Sequence, residues 1–165
     1  MPTMKTKNAR LLTAAVGVAV VGAFAAVALG SPGSGNVMTV LVAKADFNET
    51  VQLNSDRIKF QTKGPTDVRI RTITFAPGGY SGWHHDPGFA LVTVKSGELT
   101  EVDSQCNATT YGPDSPNGAV FVEYGDDPSE IRNTSTAPAT IYSTVIAPDA
   151  DPPVFRIEDD PPPCA

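Results

Sequence analysis

Pro77-Gly-Gly-Tyr-Ser-Gly-Trp-His-His-Asp-Pro-Gly88 carries both histidines of the chain, its only tryptophan and four of its fourteen glycines. Val68 to Phe75 before it alternates as a half-buried strand does, and Phe89 to Val94 after it is a more apolar run. The segment therefore reads as a Gly/Pro-punctuated connection between two strands. A short polar loop in that place is held by a rigid sheet at its end or mouth.

Working outward, the chain from Asn36 on reads as β almost throughout. Val37–Ala43, Thr50–Leu53 and Arg57–Gln61 are short candidate strands, although Val40–Phe47 could hold a single helical turn. In Val68–Phe75 one face carries Val68, Ile70, Thr72 and Thr74, and the other carries Arg69, Arg71, Ile73 and Phe75. The mixed faces imply a strand whose two ends meet different surroundings. Phe89–Lys95, Ser96-Gly97 and Glu98–Asp103 read as strand, turn and strand, hence a hairpin. Cys106–Tyr111, Ala119–Glu123, Ile131–Asn133 and Thr140–Ala147 complete the set, and a Pro-rich tail without strands begins at Pro148. Short strands with frequent turns predict an all-β sandwich or barrel.

The first thirty residues stand apart. Lys5, Lys7 and Arg10 lead into a small-apolar run, Leu11–Gly30, and Ser31–Asn36 reads as a linker. This is the pattern of a secretory signal, with Ala26 and Ala28 suited to cleavage. The other reading is an uncleaved anchor, since about twenty apolar residues can span a bilayer. Either way the folded part, 37–147 with its tail 148–165, is expected outside the cytoplasm. Taking away the three N-terminal cations moves the formal charge from −6 to −9. So acidic a domain is a poor partner for nucleic acid, and it meets a membrane only through the N-terminal segment. Cys106 and Cys164, the only two cysteines, are expected to form a disulfide that ties the tail back.

The spacing around the opening stretch resembles the cupin superfamily, small jelly-roll barrels with two signature motifs. Gly78, His84 and Gly97 match the first, and Gly118 and Asn133 match the ends of the second. The likeness spans roughly residues 68–147 and implies a single cupin jelly roll, the double-stranded β-helix. It also implies a metal site of three histidines and one glutamate, and here the chain departs from the family. Asp86 stands in place of the second histidine and Ala90 in place of the glutamate. In the second motif Tyr124 replaces the proline, Gly125 is displaced by one residue, and Ser129 stands at the histidine position. His84 alone remains, and adjacent His85 points to the opposite face of any extended segment.

Two functions follow as expectations. In the first, the protein is an exported cupin-fold binder that holds a small molecule in the barrel mouth without a full metal site or cofactor. Trp83, His84, Asp86 and Tyr124 are then the residues expected around the ligand. In the second, His84 and Asp86, joined by Glu130 or Glu123, hold a divalent Mn, Zn or Fe ion in a metal-dependent oxygenase or isomerase. Cupin folds host many activities, so the resemblance does not choose between them. A homodimer through sheet edges is a further expectation from the family.

Overall fold

The computed structural model describes residues 33–163. The expected signal segment 1–30, most of the linker's start and Cys164 lie outside the described residues. Among the described residues there are twelve strands. They are β1 (Val37–Phe47), β2 (Gln52–Asn54), β3 (Lys59–Gln61), β4 (Thr66–Phe75), β5 (His84–His85) and β6 (Phe89–Ser96). The others are β7 (Leu99–Val102), β8 (Ala108–Tyr111), β9 (Val120–Tyr124), β10 (Glu130–Arg132), β11 (Ala139–Pro148) and β12 (Ile157–Glu158).

The larger sheet has the order β1-β4-β11-β6-β9, all antiparallel. The second layer holds β10-β7-β8 and the β12-β5 pair, and single bridges at Tyr80–Arg132 and His84–Ser129 join β5's segment to β10's. Alternation explains which faces meet. Along β11, Ala139, Ile141, Ser143, Val145 and Ala147 are buried, with exposed or half-buried residues between them. The four apolar ones form one core with Ala90, Val92 and Phe121 of the same sheet and with Leu99 and Ile131 of the other. Each large apolar side chain buried there contributes about 1.5–3 kcal/mol. This is the jelly roll, or double-stranded β-helix, that the glycine and histidine spacing implied.

Three local readings are corrected. Val40–Phe47 holds no helical turn, because Val37–Phe47 is one strand paired with β4 on both sides of a bulge at Val42. Phe89–Ser96 and Leu99–Val102 do not form a hairpin, since β6 pairs with β11 and β9 whereas β7 pairs with β10 and β8. Gly97, at φ 74°, is the corner where the chain leaves one sheet for the other. A Cβ there would meet backbone atoms of Pro138 and Ala139, which glycine alone avoids. Finally, the tail is not strand-less. Phe155 enters the core, and Ile157 and Glu158 pair with His85 and His84.

Candidate functional site

The mixed face of β4 builds the site. Its Phe75 end is buried, and Ile73 and Arg71 follow along the same side toward the middle of the strand. Register sets Arg71 opposite Ser143 of β11, and Arg71 Nη2 donates to Ser143 Oγ at 3.2 Å. Arg71 Nε is buried and finds no hydrogen-bond partner. No carboxylate oxygen among the described residues lies within ion-pair distance of this guanidinium. Burial lowers its pKa, with Asp86 acting to raise it, and an arginine in this setting stays a cation at neutral pH.

These residues open onto a cavity of about 280 Å³ between the two layers. Val37, Ile73, Phe75, Ile131 and Ile141 form its apolar wall. Arg71, His84, Glu123 and Ser143 form the polar wall, and the tail adds Arg156 and Glu158. Arg156 ion-pairs with Glu158 and donates through Nη2 to the Ser81 carbonyl at 2.8 Å, so its charge is already matched. Among the described residues, Arg71 is the cavity cation without such a partner.

β5 directs the two histidines apart, as alternation requires. His84 is buried and lines the cavity, whereas His85 Nδ1 meets Asp159 Oδ2 at 2.7 Å. The His84 ring places Nδ1 at 3.0 Å from the Gly82 carbonyl, which assigns the proton to Nδ1. Nε2 is then left as an acceptor. Burial lowers the His84 pKa to about 4, helped by the nearby Arg156 charge, so the ring is neutral at pH 7.

The family's lost glutamate has a substitute one strand away. Ala90 is fully buried on β6, and its register partner on β9 is Glu123. Glu123 Oε1 lies 3.9 Å from His84 Nε2 and accepts from Ser129 Oγ at 3.3 Å. Ser129, at the family's histidine position, also exchanges backbone hydrogen bonds with His84 at 2.9 and 3.1 Å. The chain thus brings positions 84, 90 and 129 together as the motifs imply, with different chemistry on them. Burial, reinforced by Asp86 and Glu101, raises the Glu123 pKa to about 8. Asp86 is buried with both carboxylate oxygens unpartnered, and burial raises its pKa to about 6 against the pull of Arg71.

The other expected site residues lie elsewhere. Trp83 is buried and does not line the cavity; its carbonyl accepts from the Asp159 amide, so it serves the packing of the tail. Tyr124 is exposed, because Phe121 and Glu123 take the inner face of β9 and Tyr124 takes the outer one. Glu130 pairs with Arg132 on the side of β10 opposite Ile131, which faces the cavity. Asp86, though close enough to influence Arg71 and Glu123, is not among the cavity-lining residues. These positions do not fit the implied metal ion. His84 offers one nitrogen with Glu123 beside it, and among the described residues no three His, Cys, Asp or Glu side chains gather as a ligand set. Arg71, Ser143, Arg156 and Glu158 were missed from the sequence. The only signal for them was the pair Arg69 and Arg71 on the stripe that also carries Ile73 and Phe75.

The buried carboxyl predicts a stability profile. Glu123 holds a proton in the folded state up to about pH 8, while its ordinary value is 4.5. That contribution is complete below pH 4.5 and is lost as pH rises through 8. Burial likewise raises Asp86 to about 6 and Glu101 to about 7, so their losses are largely over by pH 7. His84 acts oppositely, because it is depressed from 6.5 to about 4 and costs stability as pH falls through that window. From pH 7 to 8.5 Glu123 therefore dominates. The melting temperature should fall by roughly 2–4 °C per pH unit there, since one proton is worth up to ~1.4 kcal/mol per unit. Glu123→Gln should flatten that part of a melting curve series, and an equally steep decline in the variant would refute the assignment.

No protein-family model matches the chain, and no curated protein matches it. Solved structures similar to it include cupins and double-stranded β-helix proteins. An uncharacterised double-stranded β-helix protein from Klebsiella pneumoniae is 15% identical, with a TM-score of 0.49 over 73% of this chain and 84% of that one. A cupin domain from Bordetella pertussis is 17% identical, with a TM-score of 0.44 over 70% of this chain and 95% of that one. A sugar phosphate isomerase of the cupin superfamily from Silicibacter pomeroyi is 25% identical, with a TM-score of 0.41 over 47% of this chain. The match spans about half of that isomerase, 48% of its length.

Proposed function

With the cupin fold as premise, we propose that this protein binds a small organic acid in the barrel cavity. The observation that carries the reading is Arg71, a buried cation facing a ligand-sized cavity, whose Nε is unpartnered and which pairs with no carboxylate among the described residues. A guanidinium fork takes a carboxylate through two parallel N–H donors, and a water-poor site strengthens that contact. The apolar remainder of the ligand lies against Ile73, Phe75, Ile131 and Ile141. His84 Nε2 accepts from a ligand hydroxyl, and protonated Glu123 is a neutral neighbour that does not repel the anion. The cavity suits a compact molecule, at the lower end of the ~300–1,000 Å³ usual for ligand pockets. Binding in place of metal-dependent turnover is favoured by the ligand positions at Ala90 and Ser129, which carry no metal-binding group.

Calorimetric titration with butyrate, benzoate and their uncharged amides tests this. The acids should bind about tenfold or more tightly than the amides, a difference of ~1.4 kcal/mol or above. Arg71→Met should abolish the preference while Arg71→Lys retains part of it. Equal affinity for acid and amide would sink the proposal. Tight Mn or Zn binding that disappears in Asp86→Ala would favour the enzyme reading.

A further inference from the structure

His84 Nε2 and Glu123 Oε1 stand 3.9 Å apart in the polar wall of the cavity, too far for a direct hydrogen bond. The gap separates two groups of opposite need. The Gly82 carbonyl holds the imidazole proton on Nδ1, so Nε2 can only accept. Glu123 is buried without a cationic partner among the described residues, which keeps its carboxyl protonated and able to donate. Among the described residues Ser129 Oγ gives Glu123 Oε1 a hydrogen bond at 3.3 Å, no acceptor takes the carboxyl proton, and no donor reaches His84 Nε2. An oxygen about 2.8 Å from both groups completes two hydrogen bonds at once.

We infer that the ligand of this cavity is a small hydroxy acid, whose hydroxyl gives its proton to His84 Nε2 and accepts that of the Glu123 carboxyl. The inference rests on the binding of the acid group by Arg71 and adds a second point of recognition to it. Chemistry selects the hydroxyl from the other groups that a small acid carries. A ketone oxygen only accepts, so it leaves His84 Nε2 without a donor. An ammonium group only donates and needs Glu123 as an anion, which burial beside Asp86 opposes. A methyl group satisfies neither, and both polar atoms then stay buried and unpaired. A site built to bond a hydroxyl rejects analogues without one for that reason. The apolar wall of Ile73, Phe75, Ile131 and Ile141 favours one hydroxyl on a short carbon chain over a polyhydroxylated acid.

Calorimetric titration at pH 7 with butyrate, its 2-, 3- and 4-hydroxy derivatives, 2-oxobutyrate and 2-aminobutyrate tests this. One hydroxy isomer should bind about fivefold or more tightly than butyrate, the usual net effect of a buried hydrogen-bonded group. The oxo and amino acids should show no such advantage. His84→Phe and Glu123→Leu should each erase the preference for that isomer over butyrate. Glu123→Gln should keep part of it, because the amide still donates. Nitrogen NMR of the wild type needs no variant: the His84 Nε2 resonance should shift with the hydroxy acid and hold still with butyrate. Butyrate binding as tightly as every hydroxy isomer would overturn the inference and leave the acid reading intact. Failure of all the acids to bind would remove both. Tightest binding of 2-aminobutyrate would overturn the inference in favour of an ammonium group between His84 and an ionised Glu123.

Discussion

Gly88→Ala should be the most damaging single substitution in the fold, lowering stability by about 4 kcal/mol or more, in the range reserved for severe steric and packing faults. Gly88 ends the histidine loop just before β6. A Cβ there would run into the carbonyl oxygen of Ile146 on β11, and one at Gly125 would run into the Gly88 carbonyl. Three backbone segments therefore meet without room for a methyl group, and backbone atoms cannot turn aside as a flexible side chain can. Neither glycine has a positive φ, so the demand is for space and not for a left-handed conformation. This crossing also sets the loop that carries Ser129 to His84, so the site depends on it. Gly35→Ala is the control, because a Cβ there meets nothing within 4 Å. Denaturant unfolding of the two variants checks the contrast. A Gly88→Ala protein as stable as Gly35→Ala would show that the crossing relaxes more freely than described.

Much of this architecture is legible in the sequence because it depends on spacing. Asn133 closes the second motif, and in the fold it donates to the Phe75 and Ala137 carbonyls while accepting from Ser135, which explains an asparagine there. Strand alternation likewise separates His84 from His85 without any tertiary knowledge. What escaped depends on partners distant in sequence. Ser96-Gly97 reads as a hairpin turn because local chemistry states that the chain bends, not which sheet receives it. Glu123 became the carboxylate beside His84 only through its pairing with Ala90 on another strand, and Glu130, another glutamate a few residues further on, pairs with Arg132 instead. The residues of β12 were hidden by the prolines around them. Two residues are too few for a periodic signal, and their partner β5 lies more than seventy positions earlier.

That tail motivates the second large effect. Cys164→Ser should destabilise the protein by up to ~4 kcal/mol, the loop-closure value for the 58 residues separating Cys106 from Cys164, with any strain in the folded state reducing it. Cys164 lies outside the described residues, and the bridge is an expectation from two cysteines in a chain whose N-terminal segment reads as an export signal. The described part of the tail shows why such a tie matters. Phe155 is buried in the core, the Asp159 amide donates to the Trp83 carbonyl at 3.0 Å, and Asp159 meets His85. Between them, Arg156 and Glu158 form one side of the cavity. Only two strand residues hold this segment to β5, so its local opening is far cheaper than global unfolding. A covalent end restricts that opening, and its removal should act first on the tail and then on the cavity. The expected signature is a lower melting temperature together with faster hydrogen exchange at Ile157 to Asp159, while β6 and β11 remain protected at moderate temperature. Reductant should reproduce the effect in the wild type and add nothing to Cys164→Ser. Two free thiols in exported protein, found by mass spectrometry, would refute the bridge. The tail would then be held by Phe155, the β5 pairing and the polar contacts of Arg156 and Asp159 without a covalent tie, and Phe155→Ala would become the substitution that loosens it most.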